Sequence, residues 1–436
     1  MSLRVIQFVL LLVTIHSLAS AQDWVKTGTG LGVERVRIAV SDFKDAGQSG
    51  NYKQTFDATL FNDLNNAGIF DVVSKSFNPQ AQPSGPQDVN LQQWGSAPVN
   101  AAMLAFGNMS VQGDQLAVQG YLFDTKNAQN PQVLGKQYRE TASDDNARLI
   151  AHRFADEIVF RLGGGIPGIF ESKIAFISSR TGNKEVWIMD YDGSNQKQLT
   201  HLGSIALSPR ISPDGTRVAF THLGNEGAQI AMYSLELNRL TTMPRFSGTN
   251  SSAAWSPDGS NIAFSSSMRG DPEIFIMGSS GSSPRRLTSY AGPDVAPVFN
   301  PKSGAQLAWV SGHGSGIPQI YTMESDGTNP QRITDGGYAV SPTWSPNGQF
   351  LAFSWMRHYG PGAPGGQDIY LVDIASKQWV QLTHGQGRND FPSWSPDGRH
   401  IVFERAGQIW SMLADGTQAK QLTTSGRNTQ PNWSWH

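Results

Sequence analysis

A chain of 436 residues with a formal net charge of −2, its acids and bases interleaved, has no basic footprint for nucleic acid and no polybasic tract for lipid headgroups. The absence of cysteine excludes disulfides, a thiol nucleophile and thiolate metal sites, so stability must come from packing and strand pairing. The length calls for two domains rather than one, and the 46 glycines and 24 prolines recur at intervals that mark turns.

Residues 1–21 read as a cleavable secretory signal. Arg4 is the only charge before Asp23, Val5 to Val13 form an apolar run, and Ala19-Ser20-Ala21 supplies a small-x-small cleavage site. The run is shorter than the roughly 20 apolar residues of a spanning helix. The mature chain is therefore expected to begin near Gln22, in an extracytoplasmic compartment. Residues 22–33, with Gly28, Gly30 and Gly32 spaced by Thr and Leu, carry no core-forming pattern and are expected to form a flexible N-terminal arm.

Residues 34–165 read as a small α/β domain. Arg35 to Ser41 alternates as a strand does, and Phe56, Leu60, Phe61 and Leu64 recur at helical spacing up to Gly68, a natural C-terminal cap. Further strands are expected at Phe70 to Val73, Ala102 to Met109, Gln115 to Asp124 and Val133 to Glu140. Ser143 opens a final helix whose Ile150, Phe154, Ile158 and Leu162 mark one face. Gly163-Gly164-Gly165 and Pro167 end it.

Residues 166–436 repeat. Short strands begin at Ile174, Val218, Ile262, Leu307, Leu351 and Ile401, about 44 residues apart except for a longer last step. Alternating strands such as Val186-Trp187-Ile188-Met189 follow each, then segments ending Gln/Arg-Leu/Ile-Thr, then Trp-Ser-Pro-Asp-Gly or a variant of it. This period is that of a β-propeller with one four-stranded blade per repeat. The first repeat lacks an inner strand before it, while the chain stops on Pro431-Asn432-Trp433-Ser434-Trp435. A six-bladed ring closed by a C-terminal inner strand is predicted, which removes the exposed sheet edge.

Chemistry has little support in the residues. No G-x-S-x-G elbow occurs, the histidines are scattered singly, and neither metal ligands at useful spacing nor a cofactor motif is present. Asp190-Tyr191-Asp192-Gly193 only echoes a calcium loop, at an ordinary hairpin turn. The blade copies agree on one face of the ring and disagree on the other. That variable face, carried on rigid blades, reads as a binding platform.

The cleavable signal, the glycine-spaced arm, the domain opening on Val36-Arg37-Ile38-Ala39-Val40, six such blades and the Trp-Ser stop together resemble the TolB family of periplasmic Tol-Pal proteins, across essentially the whole mature chain. The resemblance implies a monomeric, non-enzymatic adaptor without cofactor or metal. It would bind the peptidoglycan-associated lipoprotein Pal through the variable propeller face and TolA through the arm, supporting outer-membrane integrity and constriction at cell division. The residues expected to meet Pal are His201, Thr249, Asn250, Ser252, Asp294, Tyr338, Arg388, Asn389, Arg427 and Asn428; those expected to meet TolA are Asp23, Trp24, Val25 and Lys26. Two alternatives stay open: a recognition or gating propeller of an envelope peptidase, and a glycan-binding propeller.

Overall fold

The protein is described by a computed structural model over residues 29–32, 34–363 and 365–436. The signal sequence and the arm positions Asp23, Trp24, Val25 and Lys26 lie outside the described residues. The chain forms two compact units, Leu31–Glu171 and Ser172–His436, the second also including the described Thr29 and Gly30.

In the first unit, strands β1 (Val36–Val40), β2 (Lys44–Gly47), β3 (Phe70–Val72), β4 (Met103–Gln112), β5 (Gln115–Asp124) and β6 (Gln132–Thr141) form one sheet in the order β3-β1-β4-β5-β6. β1 pairs in parallel with both β3 and β4, and β4, β5 and β6 run antiparallel. Helix α1 (Gly50–Asn66) buries Phe56, Leu60 and Leu64. A short helix, α2, spans Leu91–Gly95, and α3 (Asp144–Leu162) buries Ile150, Phe154 and Ile158. The Ser143 hydroxyl accepts the Asn146 N–H at 3.1 Å, satisfying an orphan donor at the α3 start. Asp144 and Asp145 in the first turn suit the positive end of the helix dipole. Gly120 on β5 lets α3 approach closely, because a Cβ there would sit 2.8 Å from the Phe154 ring.

One strand was not legible beforehand. β2 is mostly exposed and lacks apolar alternation, yet it pairs in parallel with β4. The segment after α3 also packs with this unit instead of opening the propeller at residue 166. Asp156 Oδ1 accepts the Phe170 N–H at 3.2 Å, and Ile169 and Phe170 are buried. Gly168 makes room for that carboxylate, since a Cβ there would lie 1.9 Å from Oδ1.

The second unit is a ring of six four-stranded antiparallel sheets. In blade 2, for example, the inner strand Ile205–Ile211 pairs with Arg217–Gly224, followed by Gly227–Ser234 and Arg239–Thr241. In blade 1 the inner strand is C-terminal: Asn428–Trp433 pairs with Lys173–Ser178, as the count of repeats requires. The joint is reinforced by side chains, with the Trp433 indole N–H donating to Ser172 Oγ at 2.7 Å and the Lys173 N–H donating to Ser434 Oγ at 2.9 Å. Each second strand buries an aromatic ring (Phe176, Phe220, Phe264, Trp309, Phe353, Phe403) in the core between blades.

The Trp-Ser-Pro-Asp-Gly turns owe their form to local chemistry. Ser256 Oγ donates to Asp258 Oδ1 at 2.5 Å and accepts the Asn261 N–H at 2.9 Å, while Gly259 takes φ 68°, a left-handed conformation that glycine enters at no steric cost. No helix among the described residues is long and apolar enough to cross a membrane.

Candidate functional site: the variable propeller face

The loops of this face stand on a repeated internal hub. In five blades the threonine that ends the outer strand accepts the N–H opening the third strand, as Thr200 does from Val186 and Thr383 from Ile369, both at 2.9 Å. The same hydroxyls donate to the side chain one residue before that N–H. Thr200 reaches Glu185 at 2.5 Å, Thr288 reaches Glu273 at 2.6 Å and Thr334 reaches Gln319 at 2.7 Å; Thr383 with Asp368 and Thr423 with Gln408 are each at 2.8 Å. These acceptors in turn hold the next loop. Glu185 accepts the Leu202 N–H at 2.7 Å, and Asn389 donates to Asp368 at 2.9 Å.

The expected partner residues divide on this framework. Asn250, Asp294, Asn389 and Asn428 are each 0% exposed. Asn250 Nδ2 donates to the Phe246 carbonyl at 3.2 Å, and Asn428 Nδ2 to Gln408 at 3.0 Å and the Ser425 carbonyl at 2.9 Å. Direct contact with a partner does not fit that burial: the three asparagines anchor loops from beneath, while both Asp294 carboxylate oxygens are buried without a hydrogen-bond partner. Ser252 is half-buried on a bulge of its inner strand, and its N–H donates to Thr221 Oγ1 at 3.0 Å. His201, Thr249, Arg388 and Arg427 are exposed. Tyr338 is half-buried and its ring centroid lies 5.1 Å from that of the exposed Tyr359. Tyr290 and His313 form a second ring pair at 5.2 Å.

The charged groups of this face are held by an ion pair, by neutral polar side chains and by aromatic rings. Arg388 ion-pairs at 2.8 Å with Asp390, which is 1% exposed and also accepts from Ser341 and Ser354 at 3.0 and 2.7 Å. Burial pushes the neighbouring Glu404 carboxyl above the usual carboxylate range, against the donated hydrogen bond of Thr429. Arg405 donates to Asn389 Oδ1 at 2.8 Å and lies 5.0 and 4.9 Å over the Phe403 and Trp410 rings. Arg180 lies 4.4 Å over Trp187 and donates to Asn428 at 3.1 Å.

Sequence reasoning missed Arg180, Glu404 and Arg405. The available signal was positional: where Arg405 pairs with the inner strand, the other blades carry Ser178, His222, Ser266, Ser311 and Trp355. The six inner-strand bulges were missed too. Ser208, Ser252, Ala296, Ser341, Phe391 and Gln430 all take φ between 50° and 56°, and the ladder register shifts at each.

At the calcium-like turn the carboxylates are already engaged. Asp190 ion-pairs with Lys173 at 2.6 Å, and Asp192 accepts from Ser194 at 2.6 Å. Among the described residues, no group of three or more His, Asp or Glu side chains could hold a metal ion. At the described end of the arm Thr29 is buried, and Gly30 lies beside Arg399, where a Cβ would be 4.0 Å from Nε.

Comparison with known proteins accounts for both units. The family model for the TolB β-propeller domain matches residues 160–360 and 336–436, and that for the TolB amino-terminal domain matches residues 29–131. A TolB homologue from Chlorobium chlorochromatii is 35% identical over 213 residues, covering 49% of this chain and 47% of its own. The Tol-Pal system protein TolB of Desulfosudis oleivorans is 35% identical over 201 residues, covering 46% of this chain and 44% of its own. These alignments therefore span about half the length of those relatives. The crystal structure of TolB from Acinetobacter baumannii superposes with a TM-score of 0.77 at 25% identity, covering 92% of this chain and 97% of that one. With its propeller and its amino-terminal domain both matched in the expected order, the chain belongs to the TolB family.

Proposed function

We propose that this protein is a periplasmic, non-enzymatic adaptor of a Tol-Pal envelope system. It binds the lipoprotein Pal through the variable propeller face and TolA through the arm of residues 22–33, and so supports outer-membrane integrity and constriction at division. The observation that carries the reading is the contrast between the two levels of that face. A repeated, buried hub of Thr, Asn, Gln and carboxylate side chains supports a set of exposed and chemically diverse ones: His201, Thr249, Arg388, Arg427 and the Tyr338–Tyr359 pair. Arginine and tyrosine are the residue types that most often dominate interface energetics. Asn250, Asn389 and Asn428 act indirectly, by fixing the loops.

The test is binding of purified Pal to the mature protein. Joint replacement of Arg388, Arg427 and Tyr359 by Ala should weaken Pal at least tenfold while the protein keeps a cooperative melt. Deletion of residues 22–33 should abolish TolA binding. Unchanged Pal affinity in the triple variant would sink the assignment of the face, and undiminished TolA binding by the truncated form that of the arm.

A further inference from the structure

The cavity on the propeller axis, at the Pro-Asp-Gly side of the ring, plays no part in the reading above. It has a volume of about 140 Å³. Each inner strand contributes to its wall the residue just before its Trp, Phe or Ile, and this gives a ring of six equivalent positions: Arg210, Ala254, Val298, Thr343, Ser393 and Asn432. Five are neutral and one is a guanidinium. Above and below, the wall is indole and proline, including Trp255, Trp344, Trp394 and Trp433.

Arg210 has no carboxylate partner among the described residues. Its recorded side-chain hydrogen bond is to the adjacent Pro209 carbonyl, at 3.0 Å. Burial pulls its pKa down to about 10, which leaves it charged at neutral pH. Two of the cavity-lining indoles are likewise unsatisfied. Trp255 donates to the Arg210 carbonyl at 3.1 Å and Trp433 to Ser172, but the buried Nε1–H groups of Trp344 and Trp394 have no acceptor. A half-buried guanidinium without a carboxylate partner lines an aromatic chamber, and an anionic acceptor there would pair with it.

We propose that the axial cavity binds a small organic carboxylate with a flat apolar body, its carboxylate forked on Arg210 and its body against the tryptophan walls. The guanidinium matches a carboxylate bidentately and disfavours any cationic ligand. The cavity wall supplies no second cation, which disfavours a strongly hydrated dianion such as phosphate. The apolar lining favours a ligand that is mostly hydrocarbon.

Benzoate is the probe. Titrated into the mature full-length protein, it should bind saturably by calorimetry and change tryptophan emission, because five indoles line the site. Arg210→Gln should weaken benzoate at least tenfold, and benzamide, the neutral isostere, should bind the wild type no better than benzoate binds that variant. Trp344→Phe, which keeps the charged anchor, should cost only a few-fold. Should Arg210→Gln fail to fold, Arg210→Lys retains the charge without the fork and should weaken benzoate several-fold. No saturable binding to the wild type, or equal affinity in whichever Arg210 variant folds, overturns the proposal.

Discussion

Thr383 shows how much one side chain does beneath the variable face. Its hydroxyl accepts the buried Ile369 N–H and donates to Asp368, which in turn accepts from Asn389. Thr383→Val keeps the shape and removes both bonds, so it should cost about 2 kcal/mol, read from the denaturant midpoint. Asp156 gives a pH-dependent case. Burial pushes its pKa up to about 7, only partly opposed by the Phe170 N–H it accepts. On folding the group takes up a proton at any pH between its unfolded value and about 7, so its contribution is most favourable in acid and is lost as pH rises through 7. Asp156→Asn should therefore match the wild type in melting temperature near pH 4 and exceed it by several degrees at pH 8. A variant that gained nothing at pH 8 would show the carboxylate to be harmless there. Residue by residue, the sequence disclosed which loops vary but not which side chains in them face outward. Asn250, Asn389 and Asn428 recur at one repeat position, and recurrence at a fixed register belongs to the scaffold. That was a sign of burial, legible in the spacing and outweighed by their polar character.

Elements were legible in proportion to how strongly their apolar pattern repeats. The six buried rings on the second strands occupy one register, and Trp309 among them is 0% exposed. Trp309→Ala should cost about 4 kcal/mol and broaden the unfolding transition, measured by denaturant titration. β2 was invisible because Lys44–Gly47 offers no alternation; its place comes from pairing with β4. The bulges were invisible because residue type does not report φ. Ser, Ala, Phe and Gln all occupy the left-handed position, and the one recurrent hint is the proline that follows it in five of six copies: Pro209, Pro297, Pro342, Pro392 and Pro431. A proline fits there because the bulge already interrupts the ladder, so no paired N–H is lost.

Ring closure is a property of the whole molecule. The strand Asn428–Trp433 completes blade 1 and seals the edge of Lys173–Ser178. Removing residues 428–436 should leave that edge open, lower the melting temperature by ten degrees or more and promote association between molecules, measured by scanning calorimetry and light scattering. Retention of a cooperative, monomeric melt would mean that the other five blades suffice. The closing pair also has a meaning in time. A chain that emerges N-terminus first can finish blades 2 to 6 in succession from neighbouring segments, yet blade 1 waits with three strands until the last residues arrive. The slowest step of assembly should therefore be an encounter between the two ends of the propeller sequence, a long loop closure whose entropy is repaid only at the finish. Circular permutation that begins the propeller with residues 428–436, placed directly before Ser172, would make that encounter local and should speed refolding without altering the finished ring.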